Sequence, residues 1–85
     1  MQIVRLPMGK LASKDTDCIL IEGVSGGKYD LTGSVLTVQD ATSQDESVSM
    51  TSEVPYNTYE QAEAAGLAWA ADLDVQVLYV ETRRA

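Results

Sequence analysis

The chain has 85 residues, 45% of them apolar, with thirteen acidic and six basic side chains and no histidine, which sets the formal charge at -7. That length allows one small core and no second domain, and it buries only about 60% of the unfolded surface, so self-association that shares surface is an expectation from size alone. No apolar run approaches the roughly 20 residues that cross a bilayer, the opening Met1-Gln2-Ile3-Val4-Arg5 lacks a signal-peptide pattern, and one cysteine forms neither an internal disulfide nor a cysteine-rich zinc site; the expectation is a cytoplasmic protein with no membrane contact.

The first predicted element is a short strand over Gln2 to Leu6, ended by Pro7, which lacks a ladder donor. Asp17 to Glu22 carries Cys18-Ile19-Leu20-Ile21, apolar on both faces as in the interior strand of a covered sheet, and Cys18 reads as an inert core thiol. Gly23 to Gly33 holds four of the six glycines and reads as a turn or loop. Ser34 to Gln39 is a third strand, followed by an acidic connection over Asp40 to Glu46. From Ser47 to Val54 the pattern alternates, with Val48, Met50 and Val54 on one side and serine, threonine and glutamate on the other.

Thr58, with Gln61 three residues on, has the form of a capping box and opens a helix that six alanines carry to about Ala71. Glu60 and Glu63 stand in its first turns, where the dipole favours negative charge. Tyr59, Ala62, Gly66, Trp69 and Leu73 form the inward stripe, and glycine at 66 predicts close approach to the sheet. Val75 to Glu81 is a closing strand, and Thr82 to Ala85 reads as a loose tail. The order ββββαβ predicts an α+β fold in two layers: a four- or five-stranded, mainly antiparallel sheet with one helix on one face. Its second face is then wet or covered by a partner.

Tests for chemistry exclude more than they find. Gly23-Val24-Ser25-Gly26-Gly27-Lys28 lacks the first glycine and the closing Ser or Thr of a phosphate loop and opens no helix, so it reads as a hairpin turn. Asp15 with Asp17, and Asp72 with Asp74, do not continue into a calcium loop. Without histidine or a nucleophile elbow, no catalytic set is evident, and the expectation is a protein that is not an enzyme and needs no cofactor or metal. Net negative charge opposes direct nucleic-acid binding, so Trp69 reads as core rather than as a stacking platform.

Charge position is more informative than net charge. From Tyr29 to Thr82 there are ten acids and no Lys or Arg, while four of the six bases lie in the first 28 residues. One reading is a solvated surface that keeps a small protein dispersed. The other is a field directed at a basic partner, with carboxylates standing where phosphates would lie. Candidate contacts are Asp40, Asp45, Glu46 and Glu53 around one connection and its following strand, with Glu60 and Glu63 on the helix face opposite the core stripe.

A tiny acidic chain with several strands, an Ala-rich helix containing Trp over Ala62 to Ala71 and a closing apolar strand over Val75 to Val80 resembles the small phage-encoded anti-CRISPR proteins. The resemblance covers architecture and charge, and carries no residue-level role. It implies an inhibitor in the host cytoplasm that occupies the basic nucleic-acid-binding surface of a CRISPR effector complex by mimicking DNA charge. The alternative is a bacterial or phage accessory domain acting through homodimerisation or subunit contacts on its open sheet face.

Overall fold

The computed structural model describes residues 1 to 13, 16 to 39 and 44 to 84, with the backbone path alone for 37 to 39 and 44 to 47. Five strands, β1 (Gln2–Arg5), β2 (Cys18–Val24), β3 (Lys28–Gln39), β4 (Gln44–Thr51) and β5 (Val77–Arg83), and one helix, α1 (Tyr59–Asp72), follow the order ββββαβ. They build an α+β fold of two layers. The sheet order is β1-β5-β2-β3-β4. β2, β3 and β4 pair antiparallel, and β5 enters between β1 and β2 parallel to both, so the sheet is mixed with antiparallel residue pairs in the majority.

The glycine-rich stretch is mostly strand. Only Ser25 to Gly27 turns, with Gly26 and Gly27 at φ 86° and 71°, a left-handed conformation that favours glycine, and Val24 then pairs with Lys28. Gly33 lies inside β3 for a different reason: a Cβ there would fall 2.5 Å from Cζ3 of Trp69, so the indole rests on bare backbone. At the other end β4 starts earlier than its alternation suggests and stops at Thr51, leaving Val54 exposed. Asp45 and Glu46 are therefore strand residues, paired with Val38 and Thr37, and not part of a loop.

Helix α1 begins as its capping residues predict, with Thr58 Oγ1 accepting from the Gln61 amide at 3.1 Å. It ends in a Schellman motif in which the Asp74 amide donates to Ala71 O and the Val75 amide to Ala70 O. Asp74 takes the left-handed position (φ 57°) that glycine usually fills. Ala62, Gly66 and Ala70, four residues apart, form the face pressed on β2 and β3, while Tyr59, Trp69 and Leu73 flank it half-buried. This face of small residues brings the helix close: a Cβ at Gly66 would lie 2.5 Å from Ile19 Cδ1. Beneath it the core is Ile19, Ile21, Leu31, Val35, Leu78 and Val80, the alternate residues of β2, β3 and β5.

The opposite face is crossed by the chain itself. β1 and β2 flank β5 and run parallel to it, so their connection must pass over β5, and the helix occupies one side. Glu81 alternates away from the core residue Val80, and its Oε1 accepts from the Ala12 amide at 2.6 Å. The connection therefore runs over the face away from α1. It ends at Asp17, whose carbonyl accepts from the Tyr79 amide and whose Oδ1 accepts from the Leu36 amide just past the end of β2. Cys18 also belongs to this face, half-buried, and not to the core beneath the helix. Thr82 and Arg83 extend β5 rather than forming a loose tail, paired with Ile21 and Glu22.

Candidate partner-binding surface

Sheet order converts the charge asymmetry of the chain into an asymmetry of the molecule. The stretch without Lys or Arg supplies all of β3 after Lys28, all of β4, α1 and β5 up to Thr82. β3 and β4 are neighbours at one edge. Basic residues fall on the other side and at one end: Arg5 on β1, Lys10 in the crossover, Lys28 at the β2–β3 turn, and Arg83 and Arg84 at the end of β5. Lys14 lies outside the described residues.

The six carboxylates singled out in the sequence do not form one cluster. Asp40 lies outside the described residues. Asp45 and Glu46 sit toward the start of the edge strand β4, where β3 and β4 continue beyond the last β2 pairing at Cys18↔Ser34. Glu53 follows the other end of that strand and is exposed. Six residue steps lead from Asp45 to Thr51, about 20 Å at the usual strand rise. Glu60, exposed in the first helical turn, stands toward the Glu53 end, because Tyr59 packs edge-on against Tyr29 and Tyr29 bridges to Tyr56. The acids are therefore divided, and Glu53 and Glu60 share the Tyr29 end of the sheet with Lys28, Arg83 and Arg84. The molecule is correspondingly elongated, 46 × 24 × 19 Å, with a radius of gyration of 13.1 Å against about 12 Å for a compact chain of this length.

Glu63, a candidate contact on the helix, is already paired within the molecule. Its Oε1 and Oε2 accept from Arg5 Nη2 (2.9 Å) and Nε (3.2 Å), a two-bond pair joining α1 to β1. Hydrogen bonding to Arg5 and its charge hold the Glu63 carboxyl below the usual carboxylate range against an opposing effect of burial. A depressed folded-state pKa means stability that is present above the ordinary glutamate range and lost as pH falls through the lowered value. Wild type should therefore melt slightly higher than Glu63→Gln near neutral pH, and the gap should close in acid. A gap indifferent to pH in thermal melts would show that the ion pair adds nothing.

Chemistry at the remaining polar groups is sparse. Burial, then Glu81 and Asp17, push the Cys18 thiol up, which keeps it protonated and unreactive near neutral pH. Among the described residues, no three His, Cys, Asp or Glu side chains gather closely enough to hold a metal ion. No helix described is long and apolar enough to cross a membrane.

Sequence reasoning missed one grouping. Lys28, Arg83 and Arg84 line a single groove of about 620 Å³ at the turn end of the sheet, beside Tyr29 and Tyr59. Lys28 and Arg83 are far apart in the chain, and only the pairing of both flanking strands with β2 brings them together. Comparison with protein-family models, with curated proteins and with solved structures finds no match.

Proposed function

We propose that this chain is a non-enzymatic acidic binding protein that occupies a basic, nucleic-acid-binding surface of a partner, as an inhibitor of the anti-CRISPR kind would. The observation that carries the reading is the placement of β3 and β4, base-free after Lys28, side by side at one edge of the sheet. β4 lies at the sheet edge, and Asp45 and Glu46 in its sequence give that edge negative charge, which discourages pairing with a second neutral strand. Hydrated acids of one sign steer association with a positive surface and compete there with phosphates. Glu53 and Glu60 stand at the end that also carries Lys28, Arg83 and Arg84, so they are the weaker candidate contacts, and Glu63 is engaged by Arg5.

Self-association through the open sheet face has weaker support, because the β1–β2 connection already lies across that face at Ala12 and Glu81.

Affinity capture from a bacterial lysate at low salt, followed by elution with duplex DNA, tests the proposal. Retained proteins should bind nucleic acid, should be released by the duplex and by moderate salt, and should not be retained by Asp45→Lys/Glu46→Lys, whose melting temperature should stay close to wild type. Retention that duplex DNA does not disturb, or that the double variant preserves, overturns it.

A further inference from the structure

The groove that gathers the bases is not explained by an acidic surface that meets a basic partner. It lies where β1, β5 and β2, three parallel strands, come to their carboxyl ends, the place at which open sheets leave a crevice. Its volume, about 620 Å³, falls within the roughly 300 to 1,000 Å³ usual for small-molecule sites. Tyr29 and Tyr59 give it an aromatic wall, with ring centroids 6.1 Å apart and planes at 87°. Tyr59 Oη lies 3.3 Å from Thr82 Oγ1, which fixes the second ring against β5. Around this wall stand Lys28, Arg83 and Arg84, half of all the bases in the chain, none of them in an ion pair among the described residues. Glu22 and Asp30 are register neighbours on the adjoining strands but do not line the groove.

Such a lining selects a ligand with a compact anion at one end and a flat ring at the other. One carboxylate matches one guanidinium. A phosphate monoester, with up to two charges and three terminal oxygens, can engage two guanidiniums and an ammonium together. We propose that this groove binds a phosphorylated aromatic small molecule of the nucleoside monophosphate class, its phosphate held by Lys28, Arg83 and Arg84 and its ring set against Tyr29 and Tyr59. A nucleic-acid strand is a different ligand: it would run past the groove along a protein of net charge -7, which repels it.

Titration with adenosine monophosphate, followed by amide chemical shifts of isotope-labelled protein, tests this, with inorganic phosphate and adenosine as separate arms. Saturable shifts should map to Lys28, Tyr29, Tyr59 and Thr82, and the monophosphate should bind about tenfold or more tightly than either arm alone. Arg83→Glu/Arg84→Glu should weaken it by about tenfold or more, the loss expected when charge-assisted bonds are removed. Lys28→Glu, at an exposed hairpin position, gives the same readout if the arginine variant does not fold. Absence of saturable shifts, shifts confined elsewhere, equal binding of adenosine or of phosphate alone, or undiminished binding by the charge-reversed variants overturns the proposal.

Discussion

Truncating Ile19 to Ala should cost about 2 to 5 kcal/mol, a large part of the roughly 4 to 13 kcal/mol that a chain of this length commands. The melting temperature should fall by about 4 to 8 °C for each kcal/mol lost. Ile19 is fully buried and its Cδ1 fills the space that a side chain on Gly66 would need, so the two positions are energetically coupled. In wild type, Gly66→Ala should destabilise: the new methyl meets Ile19 Cδ1 at 2.5 Å and Leu31 Cδ1 at 3.2 Å, and both side chains are locked in the core. Ile19→Val removes Cδ1. In that background Gly66→Ala should cost clearly less, because only Leu31 Cδ1 at 3.2 Å then stands tightly against the new methyl and opposes the helical preference for alanine over glycine, about 1 kcal/mol. Denaturant melts of the four proteins decide the matter; an effect of Gly66→Ala that is the same in both backgrounds would refute the contact.

Gly33→Ala is the second large effect. Three atoms of the Trp69 ring, Cζ3, Cη2 and Cε3, stand 2.5, 2.9 and 3.0 Å from the position of the added carbon. A ring has no flexible end to move aside, so the indole or the strand must shift, at a cost of about 1 to 3 kcal/mol. Trp69 is the sole tryptophan, and its emission should change with the substitution. Trp69→Leu should harm the Gly33→Ala protein less than it harms wild type. Unchanged emission together with an unchanged melting temperature would contradict the packing of ring on backbone.

Features that were legible in the sequence are local ones. Thr58 and Gln61 lie within one turn, so the start of α1 follows from their chemistry alone. Glycine at 66 in an alanine-rich helix has few explanations besides close approach, and the helix does approach closely there. Gly23 and Gly33 misled for the same local reason. Glycine composition marks turns, but Gly33 serves a ring from a distant element, and the turn itself needs only Ser25 to Gly27. Spacings of three and four lead from Gly66 through Trp69 to Leu73 and pass over Ala70, although a helix lying flat on a sheet puts its smallest residues deepest.

The candidate surface was legible only as composition. A base-free stretch can be counted, but whether it becomes a patch depends on sheet order. That order separates Asp45 and Glu46 from Glu53 and Glu60 along β4 while setting β3 and β4 together at an edge. Arg5 and Glu63 are 58 residues apart, so no spacing argument could have paired them. Lys28 joins Arg83 for a similar reason, through β2.

The position of β5 has a consequence for the order in which the molecule is assembled. β2, β3 and β4 join through neighbours in the chain and can form a meander early, whereas β1 pairs only with β5, Gln2 lying opposite Val77. β1 and β2 are synthesised before β5, yet the place between them in the sheet is filled only when residues 77 to 83 have been made. Such a long separation between partners slows closure, since the entropy of the intervening loop is lost before any ladder bond is gained. Once made, β1 thus waits for residues 77 to 83 to bring the neighbour that holds it.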